Sequence, residues 1–86
     1  MIMSVERIEK AMANIYKYLD GPKYDDTKAG TEYILDRLRK KGIEGKTYGY
    51  KDLNVSFEYH GWSIHLEEEM FAKNLLTGRE VFCPPC

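Results

Sequence analysis

The spacing of apolar residues predicts a helix near the start of the chain. Its apolar positions recur every three or four residues and therefore share one side of the helix: Val5, Ile8, Met12, Ile15 and Leu19. Ser4 stands where an N-cap residue belongs. Gly21 is suited to the left-handed conformation that ends a helix, and Pro22 prevents its continuation.

A second helix is predicted to begin at one of residues 25–27, because Asp and Thr both cap helices. Its apolar stripe consists of Ala29, Ile34, Leu35 and Leu38. Gly42 is suited to the left-handed position after this helix. Leu38 and Ile43 then occupy the two positions that touch in a Schellman motif.

The second half of the chain alternates apolar and polar residues, which is the pattern of a half-buried strand. A two-residue turn at His60 and Gly61 folds this segment into a hairpin. The apolar residues then face one another on one side of it: Tyr59 and Trp62, Phe57 and Ile64, Val55 and Leu66. Because a slip of one residue destroys this match, the pattern specifies the register.

Two segments flank the hairpin. Residues 46–50 have the pattern of a short strand. Residues 67–82 are compatible with a short helix, or with strands at 71–74 and 79–82 joined by a turn around Thr77 and Gly78. The hairpin is favoured because Val81 and Phe82 need a strand partner.

These elements predict an α+β fold, with two N-terminal helices packed on one face of a small antiparallel β-sheet of three to five strands. Residues 1–82 are expected to form this single domain, and residues 83–86 a short tail.

Composition restricts the class of protein. Lys and Arg number 13 against 14 Asp and Glu, a net charge of −1 that argues against a strongly basic nucleic-acid coat. No apolar run approaches the roughly 18 residues of a membrane helix, and the first residues lack the pattern of a signal peptide. Both cysteines stand in the last four residues, unlike the dispersed cysteines of a secreted mini-protein. We expect a cytoplasmic protein that does not enter the membrane.

The two cysteines of the tail, Cys83 and Cys86, are spaced as ligands of one zinc ion. Their Cys-Pro-Pro-Cys string resembles one knuckle of a zinc ribbon, but the second cysteine pair of a ribbon is missing. The other ligands would come from His60 and His65, or from a second copy of the tail in a zinc-linked dimer. The alternatives are a local redox bridge and a tail with two unligated thiols.

A basic stretch makes nucleic-acid binding an alternative function. Its cations are Arg37, Arg39, Lys40, Lys41, Lys46 and Lys51. Cations bind phosphates, and the interleaved Tyr48 and Tyr50 are able to stack on bases. The same cations also complete a helix C-terminus, where the helix dipole favours positive charge.

Two further groups of polar residues lie in the second half. Glu67, Glu68 and Glu69, with Glu58 nearby, are suited to receive a basic partner, to solvate the end of a strand or to form the first turn of a helix.

Ser63, His65 and Glu67 share one face of a strand and have the residue types of a hydrolytic triad. Neighbours on one strand face are about 6.6 Å apart, which predicts that they are too distant for direct hydrogen bonds. We therefore expect no catalytic residues, and a protein that is not an enzyme.

The surplus of tyrosines points to a contact surface. The hairpin explains Tyr59 as a core residue, but it leaves six unexplained: Tyr16, Tyr18, Tyr24, Tyr33, Tyr48 and Tyr50. Tyrosine is favoured at interfaces because it joins a large apolar body to a polar tip. The leading prediction is a small protein-binding module (a regulator, inhibitor or subunit) that contacts a partner, or a second copy as a homodimer, through this surface.

Overall fold

The computed structural model of the protein describes residues 2–20 and 27–83, and it confirms the α+β fold. Two helices precede a five-stranded antiparallel sheet: α1 Val5–Tyr18, α2 Lys28–Lys40, β1 Lys46–Tyr48, β2 Asn54–Tyr59, β3 Trp62–Leu66, β4 Met70–Asn74 and β5 Glu80–Phe82. The strands lie in the sheet in chain order, so each connection joins two neighbours.

Helix α1 begins where the sequence predicts. The Ser4 side chain accepts a hydrogen bond from the Arg7 N–H at 3.3 Å, which satisfies one of the N–H groups that the first turn leaves open. At the other end Leu19 is the C-cap, and Asp20 takes the left-handed conformation with a φ of 55°. The predicted role of Gly21 in ending the helix lies outside the described residues.

Helix α2 follows Thr27, one of the three predicted caps, whose side chain accepts from the Gly30 N–H at 3.1 Å. It ends in the predicted Schellman motif. Gly42 has a φ of 75°, and the Ile43 N–H donates to the Leu38 carbonyl at 2.9 Å. The sequence therefore specifies the end of this helix and restricts its start to three residues.

The predicted apolar stripe of α2 is wrong at one position. Ala29 is exposed, and the buried residue one turn from the N-terminus is Thr31. The Thr31 hydroxyl lies 3.0 Å from the Thr27 carbonyl and 3.1 Å from the Leu53 carbonyl. These hydrogen bonds allow a polar side chain to be buried where the pattern predicts an alanine.

The β2–β3 hairpin has the predicted register: Tyr59 pairs with Trp62, Phe57 with Ile64 and Val55 with Leu66. The turn residues His60 and Gly61 have φ values of 47° and 83°, both positive as a type I′ turn requires. Gly61 is also needed for space, because a Cβ atom there would lie 2.6 Å from the Ile2 side chain.

Strand β1 is shorter than the predicted segment 46–50. The chain leaves the sheet at Gly49, which has a φ of 81°, and turns through a short 3-10 segment at Tyr50–Asp52. This turn places Tyr50 at the end of the sheet rather than in a strand.

Of the two alternatives for residues 67–82, the structure has the hairpin of β4 and β5. The Asn74 side-chain oxygen accepts hydrogen bonds from the N–H groups of Leu76 and Thr77 at 2.8 and 3.1 Å. Asn74 thus stabilises a turn that the sequence places correctly around Thr77 and Gly78.

Both helices cover one face of the sheet, where α1 contacts β4 and β5, and α2 contacts β2. The core between the layers consists of Ile8, Met12, Leu19, Ile34, Leu38, Val55, Phe57, Trp62, Ile64, Leu66, Met70 and Ala72. Trp62 is 1% exposed, and its Nε1–H donates to the Met3 carbonyl at 2.7 Å. The opposite face of the sheet, which neither α1 nor α2 covers, is called the open face below.

Candidate functional site

The open face carries four aromatic rings that form a row across the sheet: Tyr48 on β1, His65 on β3, Phe71 on β4 and Phe82 on β5. Tyr48 meets His65 edge-on, with 5.5 Å between ring centres. His65 stacks on Phe71 at 4.7 Å, and Phe71 lies 5.4 Å from Phe82. Each ring holds the next in place, so this aromatic row is a preorganised surface.

A chain of hydrogen bonds runs through the same face. The Ser63 Oγ lies 3.0 Å from Nε2 of His65, whose Nδ1 lies 3.2 Å from the Tyr48 hydroxyl. The Tyr48 hydroxyl donates to the Glu67 carboxylate. Since an ionised carboxylate only accepts, one proton arrangement satisfies every contact. Nδ1 of His65 donates to Tyr48, and Nε2 accepts from Ser63.

The prediction that neighbours on one strand face are too distant for hydrogen bonding is wrong for Ser63 and His65. The spacing of about 6.6 Å separates the α-carbons, not the polar atoms. An imidazole ring that leans along the strand brings Nε2 close to the hydroxyl two residues before it. For His65 and Glu67 the prediction holds, because the Tyr48 hydroxyl from another strand lies between the imidazole and the carboxylate and contacts both.

The electrostatics of His65 agree with this arrangement. Partial burial lowers the pKa of His65 from its ordinary value of 6.5. The carboxylates of Glu67 and, more weakly, Glu80 oppose this shift, whereas the Lys73 ammonium adds to it. The ring is therefore neutral at neutral pH, as the hydrogen-bond chain requires.

A groove of about 610 Å³ opens at the end of the aromatic row. Three aromatic side chains and four glutamates line it: Tyr50, Phe71, Phe82, Glu67, Glu68, Glu69 and Glu80. Phe82 is 52% exposed and Tyr50 is 79% exposed. Within residues 2–20 and 27–83, no cation forms an ion pair with any of the four glutamates. This acidic groove therefore combines exposed apolar rings with four carboxylates that form no ion pair in this part of the chain.

Comparison with known proteins assigns no family to this geometry. No protein-family model, curated protein or solved structure matches the chain.

The tyrosines that were predicted to form one contact surface lie in different parts of the structure. Tyr16 and Tyr18 pack, partly buried, against the core. Tyr48 belongs to the aromatic row and Tyr50 to the acidic groove. Tyr24 lies outside the described residues.

Tyr33 is 41% exposed on α2, away from the open face. Its hydroxyl donates to the Asp20 carboxylate at 2.6 Å, and this hydrogen bond raises the pKa of Tyr33 above its ordinary value of 10.0. The contact joins the end of α1 to α2.

The predicted basic residues Arg37, Arg39, Lys40 and Lys41 lie at the C-terminal end of α2. The Arg37 guanidinium and the Lys41 ammonium lie 4.2 and 4.7 Å from the centre of the Tyr18 ring. Arg37 also donates to the Tyr18 carbonyl at 2.7 Å, and the Tyr18 hydroxyl donates to the Arg37 carbonyl at 3.0 Å. Arg37 and Lys41 thus connect the two helices.

The remaining predicted cations have separate surroundings. Lys40 forms an ion pair with Asp36 at 3.4 Å on α2. Lys46 lies on β1, and the Lys51 ammonium lies 5.3 Å from the centre of the Tyr50 ring. The structure therefore distributes these cations over α2, β1 and the 3-10 turn.

The predicted zinc ligands are described only in part. Cys83 is disulfide-bonded, and its N–H donates to the Met70 carbonyl at 2.9 Å. Cys86 lies outside the described residues. Zinc binding needs the reduced thiolates. In the part of the chain that the structure describes, no group of three His, Cys, Asp or Glu side chains is placed to hold a metal ion.

Neither α1 nor α2 has the length and apolar content to cross a membrane.

Sequence reasoning missed Phe71 and Phe82 as surface residues. One signal was present: the apolar run of Met70, Phe71 and Ala72 has no polar residue between its members. In a strand whose other residues face the core, the middle residue must point to the open face. The run therefore indicated that the Phe71 ring lies on a face whose other residues are mostly polar.

Proposed function

We propose that the protein is a non-enzymatic protein-binding module whose open face receives a basic segment of a partner. The acidic groove is the observation that carries this proposal. It places two exposed aromatic rings, Phe82 and Tyr50, beside four glutamates without a cation partner in the described chain.

Arginine and lysine side chains match both properties of the groove. Their aliphatic stems cover apolar surface while their charged heads meet carboxylates. The guanidinium group also binds well over an aromatic face. A nucleic acid is disfavoured at this place, because its phosphates would meet Glu67, Glu68, Glu69 and Glu80.

The hydrogen-bond chain supports a binding role better than a catalytic one. His65 provides Ser63 with a base, but acyl transfer also needs donors aimed at the developing oxyanion. Strand β3 pairs with β2 on one side and with β4 on the other. The backbone N–H groups around Ser63 are therefore used in strand pairing and do not serve as oxyanion donors. The hydrogen-bond chain instead fixes the orientation of His65, a ring in the middle of the aromatic row.

The proposal is tested with a labelled nine-residue peptide that alternates arginine with valine between terminal glycines. Fluorescence anisotropy measures its affinity for the protein and for a Glu68→Lys, Glu69→Lys double variant. We expect the double variant to bind about tenfold more weakly, a difference of about 1.4 kcal/mol. Raising the salt concentration should also weaken binding, since exposed charges are screened.

The Glu6→Lys, Glu32→Lys double variant is the matched control, because it makes the same charge change at exposed positions of α1 and α2, across the sheet. It should leave the affinity within about twofold. Equal affinity for a peptide with glutamate in place of arginine would contradict the proposal, and so would an unchanged affinity in the double variant.

A further inference from the structure

We infer that the basic partner segment binds as a sixth, antiparallel strand along the free edge of β5; this inference rests on the proposed function. It goes beyond that proposal because it assigns the partner an extended backbone and specifies which of its residues face the groove.

Strand β5 is an edge strand of the sheet and pairs with β4 alone. The Cys83 N–H donates to the Met70 carbonyl at 2.9 Å, and the Asn74 N–H donates to the Arg79 carbonyl at 2.7 Å. Hydrogen-bonded pairs alternate along an antiparallel ladder. Val81, which lies opposite Ala72, is therefore also hydrogen-bonded to β4.

The same alternation turns the backbone groups of Glu80 and Phe82 away from β4. Among residues 2–20 and 27–83, none forms a backbone hydrogen bond with either of them at this edge. These N–H and C=O groups are a template for another strand. The span of β5 has neither the proline nor the lysine that commonly blocks such an edge.

The side chains at this edge determine which strand fits. Glu80 and Phe82 lie opposite Lys73 and Phe71 and therefore share the open face. In an added antiparallel strand, the residues directly opposite Glu80 and Phe82 point to the same face. Arginine at both positions places one guanidinium beside the Glu80 carboxylate and one over the Phe82 ring. The residue between them lies on the core side beside Val81, which suits an apolar side chain.

Charge decides between a different protein and a second copy of this chain. Pairing two β5 strands would bring two sets of Glu67, Glu68, Glu69 and Glu80 to one surface. A basic segment instead neutralises one set. The occupant is therefore an extended segment of another protein, with alternating basic and apolar residues.

Amide hydrogen exchange tests the added strand directly, with the arginine–valine peptide as the probe. In the free protein the Val81 amide should exchange slowly, whereas the Glu80 and Phe82 amides should exchange quickly. Saturation with the peptide should slow Glu80 and Phe82 by at least about tenfold and leave Val81 unchanged.

Two results would overturn the added strand while leaving the proposed function intact. The first is peptide binding without slower exchange at Glu80 and Phe82. The second is slow exchange at both residues before the peptide is added, since the edge would then already be occupied. Absence of binding at any concentration would instead overturn the proposed function.

Backbone-methylated peptides provide a second test that leaves the protein unaltered. In the antiparallel arrangement the arginine N–H groups point towards β5 and the valine N–H groups point away. N-methylation of the arginine amides should weaken binding by at least about tenfold, and N-methylation of the valine amides should change it less than about threefold. The reverse pattern, or equal effects, contradicts antiparallel addition.

Discussion

The hydroxyl of Ser63 lies 3.0 Å from Nε2 of His65, although the two residues are two positions apart on the same strand. The two residues belong to a chain of hydrogen bonds that ends at the Glu67 carboxylate, which accepts from Tyr48. Because a carboxylate only accepts, the contact between Ser63 and His65 has a defined donor and acceptor. One anion therefore orders three hydrogen bonds across β1 and β3. Their effect is to hold an aromatic ring in place on a face that no helix of the described chain covers.

The first prediction concerns the tautomer of His65. The hydrogen-bond chain places its proton on Nδ1, because Nε2 accepts from Ser63. Nitrogen chemical shifts of the imidazole at neutral pH measure this directly. They should report a protonated Nδ1 and an unprotonated Nε2. The opposite assignment would contradict the proton arrangement, because Nε2 would then donate to Ser63 and Nδ1 would accept from Tyr48.

The second prediction concerns the stability of the fold as a function of pH. Burial lowers the pKa of His65 below 6.5 in the folded protein, despite the opposing charges of Glu67 and Glu80. Above pH 6.5 the ring is neutral in both states. As the pH falls from that value through the folded pKa, the unfolded chain binds the proton first, so stability is lost.

Urea unfolding at about pH 7.5 and pH 5.5 measures this loss, with His65→Gln as the comparison. The protein should lose more stability over this interval than the variant does. An equal loss in both would show that His65 does not contribute to the pH dependence.

The third prediction compares two tyrosines. Tyr48→Phe removes the hydroxyl that joins Glu67 to His65, and it should cost about 1–2 kcal/mol for two hydrogen bonds. Tyr50→Phe removes a hydroxyl from a side chain that is 79% exposed, and it should change stability by less than about 0.5 kcal/mol. Chemical denaturation of the two variants checks this difference. An equal loss of stability in both would show that the hydrogen-bond chain does not stabilise the fold.

The sequence alone predicts those parts of the fold that depend on local spacing. Gly42, with Leu38 and Ile43, specifies the end of α2 because a Schellman motif has fixed positions. The pair Tyr59 and Trp62 specifies the β2–β3 register, since one slip would reverse every side chain. Both predictions are confirmed.

The candidate site could not be predicted in the same way. The contact of Phe71 with Phe82 depends on a β4–β5 pairing that the sequence left open against a short helix. The hydrogen-bond chain from Ser63 to Glu67 depends on the orientation of the His65 ring and on Tyr48 from another strand. Strand spacing alone contains neither kind of information.

The fourth prediction isolates backbone conformation at Gly42. Its φ is 75°, and a Cβ atom there would meet nothing within 4 Å. L-alanine at this position should therefore cost about 1 kcal/mol through conformation alone. D-alanine, introduced by chemical synthesis, prefers positive φ and should leave stability unchanged or raise it by about 0.4–1 kcal/mol. Equal destabilisation by both enantiomers would point to a steric cause instead.

The proposed function places the binding surface on the open face of the sheet. Amide chemical-shift mapping with the arginine–valine peptide tests it most directly. The largest shift changes should fall on residues of the acidic groove: Glu68, Glu69, Phe71, Glu80 and Phe82. Changes centred on the cations at the end of α2, on the helical face, or nowhere would contradict it.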